Sequence, residues 1–348
     1  VPGCPQNDPL CKERPVSTDI SIKRRFLNLR TAISFALALA FILFLLLRLD
    51  VDLGDTFQRM RSSSPLPYFA AFLVYYATFP LRAWRWRLLL ENTGEHRVPS
   101  LWRLTLILLI NWFANTIVYA RLGDAYRAYL LRAETGADFA RAMGTVVAER
   151  IMDLMVVVSL MLLAGLGAWQ QGEWAALPFL GLGLLSFLGL FLVLVAWLGP
   201  WLVNRLPPQL SHILASLQQG VLGSFRRLPF IALLSIAIWL LETARFFLVA
   251  TALDIQVNPM LLLFTAQAVA LLVALPLTPG GIGIVEPGVA GILMLALPRE
   301  AAWSIAILDR TVSYLSLIVV GLAVLLAREL FHLKRAPSRE TSGGKENG

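Results

Sequence analysis

Charged residues recur inside apolar runs of this chain, and they recur at helical spacing. In FPLRAWRWRLLL, Arg82 and Arg85 stand three apart and so share one face of a helix. VVAERIMDLMVV sets Glu149 and Asp153 four apart, with Arg150 three before Asp153. WLLETARFFL carries Glu242 and Arg245 three apart, and ILDRTVSYLS carries Asp309 and Arg310 with Ser313 and Tyr314 a turn away. A charge at the centre of a bilayer costs about 2.5–3.5 kcal/mol on insertion scales, so such residues face a partner or water rather than lipid. Two chemistries fit: ion pairs that fasten helices together, and a solvated cavity that receives a charged ligand. Arg82, Arg85 and Arg87, flanking Trp84 and Trp86, could instead reach along their helix to an aqueous interface. Acid–base work on a lipid phosphate is the alternative chemistry, and it would draw on Glu149, Asp153 or Glu286.

A second signal is the run PLTPGGIGIVEPG, residues 276–288, which lies between two apolar segments and cannot be regular helix. Irregular backbone at membrane depth is tolerated only where protein covers it or water reaches it. The run from Thr278 to Glu286 is therefore expected to line a cavity, with Pro279, Gly280, Gly281 and Gly283 reversing the chain. Amide groups left free by those glycines, together with the positive end of the following helix, are expected to hold an anion. Gly123 and Asp124, in ARLGDAYRAYLLRAE with Arg121 and Arg127, mark a matching reversal. Glu286 and Arg150 are expected to share one site.

The elements that carry these residues follow from composition. Of 348 residues, 57% are hydrophobic and 15% charged, with a mean hydropathy of +0.70. Soluble domains carry about 25% charge. The chain is therefore expected to be an all-α polytopic membrane protein. Apolar stretches near the ~20 residues a crossing needs cover 31–49, 66–90, 142–168, 175–198, 229–253 and 301–327. The segments 101–134 and 258–298 are too long for one crossing, and glycine or proline with charge breaks each near its middle. Both read as re-entrant helical hairpins. The expected organisation is six transmembrane helices plus two hairpins: a tail over 1–30, a first membrane repeat over 31–168 with hairpin 101–134, a second, inverted membrane repeat over 175–328 with hairpin 258–298, and a tail over 329–348.

Basic residues orient this arrangement, because they gather on the cytoplasmic side. With both termini cytoplasmic, Lys23, Arg24, Arg25, Arg97, Arg103, Arg132, Arg141, Arg226, Arg227 and Lys334 fall inside, while Arg48, Arg59, Arg61 and Arg299 remain outside. Topology and anionic lipid headgroups thus account for the net charge of +8, and no nucleic-acid partner is needed. Adding 160 to a residue number carries Arg85 onto Arg245, Glu149-Arg150 onto Asp309-Arg310, and Gly123 onto Gly283. That shared offset is the signature of an inverted repeat.

NTIVYARLGDAYRAYLL, ERIMD and PLTPGGIGIVEPG together resemble the signature regions of the lysylphosphatidylglycerol synthase transmembrane-region family, over roughly residues 25–330. The Pro-Gly-Gly-x-Gly-x-x-Glu run, Pro279 to Glu286, is the most specific part. Tyr119 departs from the family pattern, standing where a proline is expected. The resemblance implies a flippase-like protein of the cell (inner) membrane that moves a lipid or lipid-linked headgroup between leaflets. The in-membrane charges point to lipids with a charged headgroup as partners, with a soluble lipid-modifying enzyme as a further candidate; a non-transporting membrane partner of such an enzyme is the remaining alternative to transport. Some members carry a soluble transfer domain, and no such domain is legible in this chain. No zincin, P-loop, nucleophile-elbow or calcium-loop motif occurs. The three histidines, His96, His212 and His332, fall in expected loops or the tail, far apart, and Cys4 and Cys11 lack metal-ligand spacing. The chain is thus expected to need no cofactor or metal, to have no catalytic centre, and to transport without ATP.

Overall fold

The computed structural model describes residues 53–95, 97–118, 121–168, 207–274 and 278–335. Regular structure among the described residues is helical throughout. In chain order the helices are α1 (Leu53–Arg61), α2 (Pro65–Asn92), α3 (Leu101–Ile117), α4 (Leu122–Thr135), α5 (Phe139–Ala168), α6 (Pro208–Ser224), α7 (Leu228–Ala252), α8 (Pro259–Ala274), α9 (Val285–Leu293), α10 (Arg299–Arg310) and α11 (Ser316–Arg335). A 3-10 turn, Pro279–Gly281, lies between α8 and α9. A widened π turn, Thr311–Leu315, joins α10 to α11 without a break.

Helices α2, α5 and α7 match the expected spans 66–90, 142–168 and 229–253 to within three residues. The expected span 301–327 lies within α10, the π turn and α11. The spans 31–49 and 175–198 and the tail 1–30 lie outside the described residues. Among the described helices, Leu228–Ala252 and the continuous run Arg299–Arg328 are long and apolar enough to cross a membrane. The 28-residue α2 and the 30-residue α5 have the length but carry charges in their interiors. By contrast α3, α4, α8 and α9 have 17, 14, 16 and 9 residues, each below the ~20 residues of a full crossing.

The stretch around His212, between the expected spans 175–198 and 229–253, is expected to be a loop, whereas α6 occupies most of its described part. Pro207 and Pro208 open this helix, since a first-turn residue has no intrahelical use for an N–H. Leu210, Ile213, Leu214 and Leu217 then recur at helical spacing, a pattern the sequence displays. Helix α6 packs along α5, with Arg141 Nη2 donating to Gln219 Oε1 at 3.4 Å. His212 accordingly lies on a helix rather than in a loop.

Helices α2 and α7 form the centre and run antiparallel. Successive contacts show this: Ser64 N donates to Ala252 O at 2.7 Å, the Arg245 guanidinium lies 5.5 Å from the Tyr75 ring centroid, and Arg85 Nη1 donates to Ser235 Oγ at 2.8 Å; just before α7, Asn92 Nδ2 donates to the carbonyl of Ser224, the last residue of α6, at 3.3 Å. Phe79, Trp86, Phe246 and Trp303 are buried in the interior. The outside is apolar as well. Leu66, Phe69 and Leu73 of α2 and Leu233, Leu240 and Phe247 of α7 are exposed. An apolar exterior around a core that contains arginines inverts the soluble pattern and is what a bilayer as solvent requires.

Candidate functional site

Among the described residues, three chains of ion pairs run through the interior. In the first, Arg82 Nη2 donates to Glu242 Oε1 at 3.0 Å and Arg245 Nε to Glu242 Oε2 at 3.2 Å. Arg245 also pairs closely with Asp309. In the second, Glu149 bridges two arginines, taking Arg85 Nη2 and Arg127 Nη1 at 2.9 Å each. Arg85 grips Asp153 with both terminal nitrogens, at 2.6 and 3.2 Å, the two-point geometry that a planar guanidinium favours. Trp239 Nε1 donates to Asp153 Oδ1 at 3.1 Å. Arg150 reaches Asp124 at 3.2 Å and Asp153 at 3.7 Å, and Arg121 stands 3.8 Å from Asp124. In the third, Arg310 Nε donates to Glu286 Oε1 at 2.7 Å and its Nη2 to the carbonyl of Gly280 at 2.9 Å.

These chains surround a cavity of about 360 Å³. Of the residues singled out from sequence, Arg82, Glu242 and Arg245 line it from α2 and α7. Arg121, Asp124, Arg150 and Asp153 line it from the first hairpin and α5, and Gly280 and Arg310 from the opposite side. Arg85, Glu286 and Asp309 stand behind the wall, paired with Asp153, Arg310 and Arg245, and Glu149 and Arg127 lie one step further back, joined through Arg85. Pro279, Gly281 and Gly283 shape the turn without lining the cavity. Sequence reasoning missed Tyr75, Trp112, Asn115 and Trp239, which also line it. The Arg82 guanidinium lies 4.8 Å from the Trp112 ring centroid and 5.4 Å from that of Trp239, a cation–π arrangement. An aromatic ring in an apolar run looks like core, and only its helical offset from Glu242 marks Trp239 as different.

Of the two readings of Arg82 and Arg85, the interfacial one fails: both are buried, the Arg85 side chain at 0% exposure. Arg87 is the exposed one, paired with Glu91 at 2.8 Å. Glu286 and Arg150 do not pair with each other, although Arg150 lines the cavity and Glu286 holds Arg310 on its wall. Glu286 belongs with Arg310, and Arg150 with Asp124. The amides of Gly281 and Gly283 are also not open to an anion. Gly281 N donates to Thr278 O at 3.2 Å, and Gly283 N to Glu286 Oε2 at 2.8 Å. Glu286 thereby closes the turn as an internal acceptor while its other oxygen takes Arg310.

The first reversal is built alike. Gly123 N donates to Asn115 Oδ1 at 2.8 Å, and Asn115 Nδ2 donates to Asp124 Oδ1 at 3.2 Å. A Cβ at position 123 would stand 2.2 Å from the carbonyl oxygen of Asn111, so only glycine fits. At Gly280 both constraints apply: φ is +58°, and a Cβ would meet the Tyr314 ring at 2.4 Å. The π turn after Arg310 sets Ser313 and Tyr314 on the cavity. Tyr75 Oη donates to the Ser313 carbonyl at 3.0 Å, satisfying backbone in a turn type often found at functional positions.

A model of the family described as lysylphosphatidylglycerol synthase TM region matches residues 32–321. The chain belongs to this family. Among relatives, the lysylphosphatidylglycerol synthase transmembrane-region match is accompanied by 30% identity over 220 residues to a UPF0104 membrane protein of Methanocaldococcus jannaschii, covering 60% of this chain and 91% of that protein. A UPF0104 membrane protein of Methanothermobacter thermautotrophicus is 24% identical over 331 residues, covering 85% of this chain and 92% of the other. Glycosyltransferase AglD of Haloferax volcanii is 24% identical over 342 residues, 86% of this chain. The match spans about half of AglD, 54% of its length. The protein is therefore a membrane protein of this transmembrane-region family, with a cavity between the turns at Gly123 and Gly280 whose largely apolar wall carries charged side chains.

Proposed function

We propose that the protein moves a lipid or lipid-linked headgroup between membrane leaflets, without hydrolysing a nucleotide, by passing the headgroup through the cavity while the acyl chains stay in the bilayer. The observation that carries this reading is the cavity itself: charged side chains from α2, the first broken segment, α5, α7 and α10 stand on its wall with Thr278 and Gly280 of the second broken segment, inside a helical body whose exterior is apolar. At about 360 Å³ it falls at the lower end of ligand-pocket sizes, about 300–1,000 Å³, which suits one headgroup. The three carboxylates on its wall, Asp124, Asp153 and Glu242, are each engaged by an arginine. That favours binding over proton transfer.

An inverted repeat of two membrane halves, 31–168 and 175–328, belongs to this reading. Reciprocal contacts support it. Adding 160 to one partner and subtracting it from the other turns the Tyr75–Arg245 contact into Arg85–Ser235, and the Ser64–Ala252 contact into Asn92–Ser224. The Arg85–Glu149 and Arg245–Asp309 pairs correspond in the same way. Arg82 and Glu242 are equivalent positions that pair with each other, as residues on a pseudo-two-fold axis would. The short helices α3 with α4 and α8 with α9 form the two re-entrant hairpins in this arrangement. Inverted halves let one site face either leaflet in turn. The distribution of basic residues supports a multi-pass protein of the cell membrane with both termini cytoplasmic. A soluble lipid-modifying enzyme is the further partner class that belongs to this reading.

Translocation is tested by reconstituting the purified chain into liposomes that carry a fluorescent phospholipid on both leaflets, then adding a membrane-impermeant reductant. Without nucleotide, the reductant is expected to bleach well beyond the outer-leaflet share. Bleaching that stops where protein-free vesicles stop, across anionic and zwitterionic lipids, would sink the reading. Chemical analysis of the same lipids is expected to give back only the input species, and a new lipid species would move the assignment to an enzyme.

A further inference from the structure

The interior charges do not cancel. The first ion-pair chain holds two arginines, Arg82 and Arg245, and two carboxylates, Glu242 and Asp309. The third holds Arg310 and Glu286. The second holds four arginines, Arg85, Arg121, Arg127 and Arg150, against three carboxylates, Asp124, Glu149 and Asp153. Among the described residues, one positive charge in this buried system is left without a counter-charge. Low-dielectric surroundings make an uncompensated ion costly, so an anion is the natural complement.

Geometry locates the surplus. Arg85 and Arg127 hold their carboxylates at 2.6–2.9 Å behind the cavity wall. Arg121 is the loose end, 3.8 Å from Asp124, a carboxylate already taken by Arg150 and Asn115. Its Nη1 donates to the carbonyl of Val273 at 3.3 Å, across to the other broken segment. Its backbone sits at φ 52°, ψ 37°, a left-handed conformation rare outside glycine and typical of functional strain. Arg121 and Arg150 both face the cavity, as does Thr278. Arg150 Nε and Thr278 Oγ1 are buried atoms with no protein partner.

We propose that Arg121, Arg150 and Thr278 form an anion seat for one phosphodiester, and that the headgroup the cavity accepts is that of an anionic phospholipid rather than a cationic one. A phosphodiester carries one negative charge, which matches the surplus, and its free oxygens can take donors from two guanidinium groups and a hydroxyl. The amides of Gly281 and Gly283 are closed by internal acceptors, so the arginines do this work. The inference rests on the translocation reading only in treating the bound lipid as the molecule carried.

The test is a calorimetric titration of the full chain in an uncharged detergent. The probe is dihexanoyl phosphatidylmethanol, a phosphodiester with no further headgroup, beside dihexanoylglycerol, which lacks the phosphate, and inorganic phosphate. The phosphodiester is expected to bind and dihexanoylglycerol is not. Arg121→Gln balances the second chain at three against three and is expected to weaken binding by about tenfold or more, the scale of one charge-assisted hydrogen bond. Arg121→Gly, which fits the left-handed backbone, serves if the glutamine variant does not fold, with the same expected loss. Asp124→Asn raises the surplus and is expected to tighten binding several-fold. Displacement of the lipid probe by inorganic phosphate would support the seat and identify phosphate as the recognised group. Inorganic phosphate binding where the lipid probe does not would overturn the lipid assignment. Equal binding of both lipids, or unchanged binding in the Arg121 and Asp124 variants, would overturn the seat. Arg121-dependent binding without translocation would remove the transport reading and leave the seat standing; translocation with binding indifferent to Arg121 would do the reverse.

Discussion

Glu149→Gln is expected to destabilise the protein by about 3–5 kcal/mol, the cost of breaking a buried ion pair by removing one partner. Glu149 has 3% side-chain exposure and serves Arg85 and Arg127 together, both of them at 0%. Neither arginine can reach water once the carboxylate is gone. Arg127 would retain the face of Trp86, 5.0 Å from its guanidinium, and Arg85 would retain Asp153. A neutral amide offers only one acceptor oxygen in place of two charged ones. Adding Arg127→Gln restores the charge difference of the wild type and is expected to recover part of the loss. Thermal denaturation of the single and double variants in detergent measures both, and the double-mutant cycle isolates the coupling. A Glu149→Gln melting temperature equal to wild type would show that these charges do not hold the helices.

Arg150→Gln is expected to behave in the opposite way, lowering lipid translocation at least tenfold while costing far less stability. Arg150 follows Glu149 in sequence but faces the cavity with 26% side-chain exposure. Its two carboxylates keep other donors: Asp153 keeps both nitrogens of Arg85, and Asp124 keeps Asn115. Water in the cavity can rehydrate whatever is left. A loss of one charge-assisted contact to a headgroup corresponds to about 1.5–3 kcal/mol, hence the tenfold floor. Translocation rates normalised to folded protein, read beside melting curves, decide between the two roles. If Arg150→Gln melts as low as Glu149→Gln yet transports normally per folded molecule, Arg150 is a fastener and the headgroup passes elsewhere.

The contrast between these neighbouring residues marks what sequence could and could not supply. Their types and spacing were legible, because a charge in an apolar run stands out and helical periodicity assigns faces. The long helices α2, α5 and α7 were legible for the same reason. Which charge meets which was not, since pairing depends on how helices cross. The offset of 160 marked Arg85 and Arg245 as counterparts, but nothing in the chain announced that Arg82 and Glu242 touch. The glycines at 123 and 283 were visible as reversals, whereas the acceptors that close them, Asn115 and Glu286, emerge only from the fold. Helix α6 was missed although its leucines are periodic, because polar residues and two prolines made the segment read as a loop.

Translocation in this protein runs through the cavity or not at all. Replacing Cys4 and Cys11 with serine leaves a chain with no cysteine, into which Thr278→Cys is introduced. Thr278 lines the cavity and its hydroxyl has no protein partner, so cysteine should be accepted with little structural cost. Labelling that cysteine with a bulky methanethiosulfonate reagent fills the route, and translocation in liposomes is expected to fall to the protein-free rate and recover on reduction. The same reagent on Leu233→Cys, at a position 61% exposed on the outer face of α7, is expected to leave the rate unchanged. Undiminished translocation by fully labelled Thr278→Cys protein would contradict the account.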